Sequence, residues 1–340
     1  MELDKGYIWV SKSPYASPFF FIKKKDGKLC PVQDYQKINA LTVHNQYPLP
    51  LISDLLRDLS NAHIYTKLDV RWGYNNVRIR DGDEPKAAFK THYGLFEPMV
   101  MYFGLTNSPA TFQTMMNFIY QDVILKHKQL GTSIRVYMDD ISIATRTNMA
   151  DHVKAVHDVL CVAQEHDLYF KPEKCLFHAP SMDYLGVILE KGVTRMDPVK
   201  IAGIDTWPVP TNVTEVWRAV GFFNFYCPFI EGFALIACPF HQLTHKNQEW
   251  HWGKEEQEAF DTLKAWVIAD PVLAHANLKD QFKLEVDTSG YAVGAVLLQR
   301  KEDGKKHPIG YYSATLNEVQ RNYNIYNLEL LAIIMALKNW

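Results

Sequence analysis

Apolar and polar positions alternate with two different periods along this chain. Residues 18–25, PFFFIKKK, predict a strand ending in a basic cluster, and Asp26-Gly27 predicts a turn after it. Pro48-Leu49-Pro50 precedes ISDLLRDL, an amphipathic helix with Ser53 and Asp54 near its start. Ile64 to Val70 reads as a short strand. Residues 108–125 have helical spacing, with Ser108 as the expected N-cap and Pro109 in the first turn. Residues 133–144 predict a hairpin, with SIRVY and ISIA flanking Met138-Asp139-Asp140. A helix is expected from about 150 to 167, and a strand from Tyr184 to Leu189. Between 198 and 270 the pattern becomes helical, chiefly over 213–226 and 254–268. Beyond Pro271, FKLEVDTSG, YAVGAVLLQR and HPIGYYSATL return to strand spacing, and LELLAIIMALKNW closes the chain as a helix.

Strands and helices mixed in this way, with hairpins early, predict an α+β fold rather than a wound parallel sheet. At 340 residues the chain suits two or three domains. Its 47% hydrophobic and 22% charged residues place it among globular proteins. No apolar run reaches bilayer length, so no membrane is expected as a partner. The start, MELDKGYIWV, lacks a basic segment followed by an apolar one, so no secretory signal is read and a cytoplasmic or nuclear setting is expected. The net charge of -2 weakens a nucleic-acid-binding reading. It does not exclude one, because only a groove must neutralise phosphates. Five cysteines, with no CxxC or Cys/His spacing among them, argue against a disulfide framework or zinc site.

Asp139 and Asp140 fall at the tip of the expected hairpin, and Asp69 at the end of the earlier strand. By itself an Asp-Asp pair in a turn is a solvated turn, and Asp69 a strand-end cap. Adjacent carboxylates between apolar strands are nevertheless costly without a cation. Strand-borne carboxylates on one sheet can hold two Mg²⁺ ions for phosphoryl transfer.

The surrounding text points one way. Tyr137-Met138-Asp139-Asp140 matches the YxDD box of reverse transcriptases. SPYASPFFFIKKKDGK, QYPLPLISDLL, TKLDVRWGYNNVRI, FGLTNSPATFQTMMN, LYFKPEKC and YLGVIL occur in the order found in gypsy-type long-terminal-repeat retrotransposons. The chain resembles that family, its fungal members above all, over nearly its whole length. The resemblance implies a right-hand polymerase followed by a truncated RNase H-like α/β domain. Fingers and palm would span 1–190, a helical thumb and connection 191–272, and the first half of the RNase H-like domain 273–340.

It further implies Asp69, Asp139 and Asp140 as catalytic metal ligands, joined by the Val70 carbonyl, with two Mg²⁺ or Mn²⁺ ions. Tyr74 would exclude a ribose 2′-hydroxyl, or serve as a core tyrosine. Lys24 would contact the incoming triphosphate. Phe103 and Gln113 would lie near nucleotide and template, although either could equally pack or face solvent. Tyr184, Leu185 and Gly186 resemble a primer grip. The implied partners are an RNA template, a DNA primer or RNA–DNA hybrid, dNTPs, and a second copy in a dimer. The implied setting is a cytoplasmic retrotransposon particle or the nucleus.

FKLEVDTSGYAVGAVLLQ resembles the first hairpin of RNase H, which makes Asp287 its first carboxylate and Glu329 its second. The alternative for Glu329 is an ordinary surface residue. Relatives place a third Asp beyond this helix, so no competent RNase H is expected of these residues alone. Where relatives usually carry Arg, this chain has Trp9, Cys30, Gln36, Gln46, Cys227 and Cys238. Each is one transition from a CGN codon, the pattern of a decayed genomic copy. The arginine implied at Cys30 would stack on the nucleotide and pair its phosphates, which a thiol cannot do. Three readings follow: an RNA-directed DNA polymerase core, a non-catalytic nucleic-acid-binding remnant, and a structural subunit pairing with an intact copy.

Overall fold

The computed structural model describes residues 2–340 apart from Lys24, Lys25, Asp26, Lys28, Lys246, Asn247 and the side chain of Cys30. Lys24 and Lys25 of the predicted basic cluster and the Asp26 half of its turn therefore lie outside the described residues. The chain divides into two compact units, Met1–Pro180 and Ser181–Trp340.

The first unit begins with β1 (Ile8–Val10), β2 (Ser17–Lys23), β3 (Leu29–Gln33), α1 (Gln36–Leu41) and α2 (Ile52–Leu59). It continues through β4 (Ile64–Asp69), β5 (Phe89–Thr91), β6 (Gly94–Pro98) and α3 (Ser108–Lys128). It closes with β7 (Thr132–Tyr137), β8 (Asp140–Thr145), α4 (Met149–Glu165) and β9 (Leu176–Ala179). One sheet runs β1-β6-β5-β2-β3, and the other runs β7-β8-β4-β9.

The second sheet positions the candidate site. Leu68, Ile134, Val136, Ile141 and Ile143 leave one of its faces and meet Phe112, Met116 and Tyr120 of α3 and Ala155, Val156 and Val159 of α4. Strand alternation sends the intervening residues to the other face. There Arg135 Nε and Nη2 donate to Asp58 of α2 at 2.8 and 2.6 Å.

Ser108 does not cap α3. The cap position is Asn107, and the buried Ser108 hydroxyl instead donates to the Tyr102 carbonyl at 3.1 Å. Likewise the cap position of α2 is Leu51, which offers no side-chain cap, and Asp54 pairs with Arg57 at 2.9 Å.

Under the same sheet His152 of α4 is fully buried between two hydroxyls. Its Nε2 lies 2.8 Å from Thr66 Oγ1 and its Nδ1 2.8 Å from Thr145 Oγ1, with the His178 ring alongside. Burial, and then the nearby His178, push its pKa down to about 4. In the unfolded chain the imidazole takes a proton below its ordinary value of 6.5. Stability from this group is therefore complete above that value and falls as the pH drops from there towards 4. The slope is up to about 1.4 kcal/mol per pH unit. Urea unfolding at pH 7 and pH 5 is expected to show a larger loss for the wild type than for His152→Gln. Equal losses would contradict this account.

The second unit holds β10 (Ser181–Tyr184), β11 (Val187–Glu190), β12 (Val193–Met196) and five helices: α5 (Pro198–Ile201), α6 (Val213–Phe225), α7 (Phe233–Ile236), α8 (Cys238–Leu243) and α9 (Lys254–Ile268). Then come β13 (Val272–Ala274), β14 (Phe282–Thr288), β15 (Ala292–Arg300), β16 (Lys306–Thr315), α10 (Glu318–Arg321) and α11 (Ile325–Asn339). The expected strand from Tyr184 to Leu189 is instead a hairpin. Leu185 and Gly186 form its turn with φ of 48° and 92°, values that glycine adopts freely and that break extended backbone.

The sheet β10-β11-β12-β13 is completed by a strand from beyond the helices, with Val193 opposite Ala274. The helices share an aromatic core of Trp207, Phe223, Phe240, Trp252 and Phe260. In the last sheet, β14-β15-β16, Val293 and Leu316 pack under Ala332 of α11. Among the described residues no helix is long and apolar enough to cross a membrane.

Candidate active site

The carboxylates come together through strand register. Asp69, the last residue of β4, pairs directly with Asp140, the first of β8. Opposed residues of antiparallel strands leave the sheet on the same face, with Cβ atoms about 5 Å apart. Here that face is the one opposite Leu68 and Ile141. Tyr137 pairs with Asp140, so Met138 and Asp139 are the two residues of the turn. Met138 has φ of 55°, an uncommon conformation for a side chain without a short polar group. The Asp139 carbonyl accepts from the Val70 amide at 2.8 Å, tying the turn to the end of β4.

Like charges directly opposite each other destabilise a sheet unless a cation intervenes. Lysines supply part of that charge. Lys171 Nζ donates to Asp69 Oδ1 and lies 3.4 Å from the Val70 carbonyl, and Lys174 Nζ is 3.3 Å from Asp69 Oδ2. A cation thus sits across two of the oxygens singled out from the sequence as metal ligands. Every donor there is a carboxylate or carbonyl oxygen, the chemistry of a hard divalent ion rather than of zinc or copper. Among the described residues, however, no three His, Cys, Asp or Glu side chains are gathered into a metal-holding group. The lysine pairing of Asp69 is one physical reason.

Aromatic side chains wall the site. After Trp72, with φ of 66° and the Arg71 guanidinium 4.3 Å from its ring, the chain makes a 3-10 turn over Gly73–Asn76. A Cβ on Gly73 would lie 4.0 Å from the Asp139 carboxylate. Tyr74, on that turn, is half-buried between Phe103 at 4.8 Å and Phe112 at 5.6 Å. Burial raises its hydroxyl pKa, and the charge of Asp139 raises it further, so the phenol stays protonated beside the carboxylate. Tyr74 and Asp139 are therefore neighbours, and Phe103, largely exposed, borders them.

Gln113 takes the packing alternative of the two readings given for it. It is completely buried, because α3 turns it inward onto the β7–β8 turn. Lys24 lies outside the described residues. In the second unit Tyr184 is buried, and Leu185 and Gly186 form the hairpin tip. A Cβ on Gly186 would come within 3.1 Å of the Phe225 ring, and the Gly186 carbonyl accepts from Tyr226 Oη. Asp287 and Glu329 are both exposed. Val286 packs under α11, so its neighbour Asp287 leaves the opposite face of β14. Lys171 and Lys174 are site residues that sequence reading missed, although they stand inside the quoted LYFKPEKC.

Comparisons with known proteins agree on the setting. Residues 22–189 match the family described as reverse transcriptase (RNA-dependent DNA polymerase), and residues 252–340 match the RNase H-like domain found in reverse transcriptase. The chain is 37% identical over 339 residues to the transposon Tf2-3 and Tf2-4 polyproteins of Schizosaccharomyces pombe. That alignment covers 99% of this chain and 25% of each polyprotein, so the chain spans about a quarter of these relatives. In fold it is similar to foamy viral protease-reverse transcriptase in complex with double-stranded DNA. The TM-score is 0.85 at 19% identity, covering 99% of this chain and 58% of that one. It is likewise similar to the same enzyme with an RNA/DNA hybrid. There the TM-score is 0.79, also at 19% identity, over 99% and 44% of the two chains.

Proposed function

We propose a function from one premise: this chain belongs, through residues 22–189, to the reverse transcriptase (RNA-dependent DNA polymerase) family. It continues into an RNase H-like region and is homologous to retrotransposon polyproteins. The proposed activity is addition of deoxynucleotides to a primer 3′-end on an RNA template. The observation that carries it is the pairing of Asp69 with Asp140 on one sheet face, beside an Asp139 turn bonded to Val70.

Reverse transcriptases generally depend on a divalent metal. On this reading Asp69, Asp139, Asp140 and the Val70 carbonyl hold two Mg²⁺ or Mn²⁺ ions. Such ions neutralise charge on the attacking 3′-oxygen and on the departing pyrophosphate. Asp69 must exchange its Lys171 contact for that role, and Lys171 is then free to meet phosphate. On the same reading the Tyr74 ring, which packs against Phe103 and Phe112, excludes a ribose 2′-hydroxyl. Asp287 and Glu329 carry no proposed activity.

The second reading, a decayed nucleic-acid-binding remnant, draws on Cys30, at a β3 position where the resemblance implies arginine. Primer extension on poly(rA)/oligo(dT) with Mg²⁺ separates the two. The wild type is expected to extend slowly and Cys30→Arg about a hundredfold faster, the roughly 3 kcal/mol of one restored transition-state contact. Binding without extension by either protein would replace the polymerase reading with the remnant.

A further inference from the structure

Gln113 is buried in α3, one helix away from the carboxylates, and every hydrogen-bonding atom of its side chain is used. Its Oε1 accepts from the Met138 amide at 2.8 Å. Its Nε2 donates to the Val136 carbonyl at 3.0 Å and to Asn117 Oδ1 at 2.9 Å. A primary amide offers one oxygen and two N–H donors, so both donors and the oxygen are engaged. The reverse orientation would set its NH₂ against a backbone N–H and its oxygen against a carbonyl, so the network specifies the amide direction.

The two backbone contacts flank Tyr137. Because Tyr137 pairs with Asp140 of β8, the Val136 C=O and the Met138 N–H on either side of it face away from β8, and β7 is the outer strand of its sheet. The Gln113 amide therefore does at this edge what one residue of an added strand would do. It accepts from one side of Tyr137 and donates to the other. Asn117 extends the link, its Nδ2 donating to Tyr47 Oη at 2.8 Å, so α3 and the segment before α2 are joined to the turn through side chains.

We propose that Gln113 is a positioning residue, a one-residue substitute strand that holds the positive-φ turn at Met138 and so sets where Asp139 projects. The role deepens the polymerase reading and rests on it for its catalytic consequence, but not for its structural one. An unpaired N–H at Met138 and an unpaired C=O at Val136 would let the turn sample other conformations. A displacement of about 1 Å of a reacting group can cost a hundredfold in rate.

The test uses the full chain with Gln113→Met, which keeps length and burial but makes no hydrogen bond, and Gln113→Glu, which keeps an acceptor for the Met138 amide. Hydrogen exchange of the peptide spanning residues 136–140 is measured together with kcat and KM for primer extension. Gln113→Met is expected to speed exchange at Met138 at least tenfold and lower kcat about a hundredfold, leaving KM for primer-template within twofold. Gln113→Glu is expected to retain most of the Met138 protection. Unchanged exchange in a folded Gln113→Met protein, or a loss confined to KM, would overturn the proposal. Should Gln113→Met fail to fold, Asn117→Ala carries the same measurement, and unchanged protection at Met138 there would count against the link. If neither the wild type nor Cys30→Arg extends a primer, the polymerase reading fails and the exchange result alone decides whether Gln113 holds the turn.

Discussion

Asp139→Asn is expected to leave a folded protein whose primer extension falls by about a thousandfold or more, the upper range for loss of one preorganised charge-stabilising group. Asparagine keeps the size and the carbonyl oxygen of aspartate, so the turn survives. What goes is the negative charge beside Tyr74 and next to the opposed pair Asp69 and Asp140. Removing one of several clustered carboxylates relieves repulsion, so the thermal midpoint is expected to hold or rise while activity collapses. That opposition of signs separates a chemical role from a structural one. Extension by Asp139→Asn at the wild-type rate would remove Asp139 from the proposed chemistry.

The second large effect is on stability. Phe260 of α9 is buried, and its ring lies 6.1 Å from Trp207, 6.2 Å from Phe223, 6.4 Å from Phe240 and 6.1 Å from Trp252. The Lys264 ammonium sits 5.4 Å from its centre. No small movement can refill a hole ringed by four rigid aromatics, so Phe260→Ala is expected to cost about 4 kcal/mol. For a unit of this size that lowers the thermal midpoint by roughly 10 °C. Phe260→Leu, which refills much of the volume, is expected to lose about a third as much. Calorimetry of the three proteins would check the order, and a midpoint for Phe260→Ala within 2 °C of wild type, about 1 kcal/mol, would contradict the packing account.

Some of this was legible in the residues and some was not. The helices over 213–226 and 254–268 end where expected because apolar spacing is strong and the starts are marked. Asn212 accepts from the Glu215 amide, and Glu256 accepts from the Gly253 amide. The hairpin carrying Asp139 was readable from its alternation. The YLGVIL segment was not readable as a turn, because its hydrophobicity continues through Leu185 and Gly186 while the backbone reverses. The parallel pairing of Ser17 with Phe89 joins segments whose local patterns say nothing of each other. The burial of Gln113 depends on strand partners outside its helix. Lys171 reads as a solvated lysine, and only the fold brings it to Asp69.

The late strand β13 closes its sheet against β12 across roughly eighty residues, most of them in α5 to α9. The ladder holds the two ends of that helical block together. The entropy of closing a loop grows only with the logarithm of its length, about 0.6 kcal/mol for each doubling. Residues added between those helices would therefore burden the closed sheet very little. In a lineage of copied elements this makes the enclosed block the cheap place for lengths to diverge, while the strands that fasten it must keep their register.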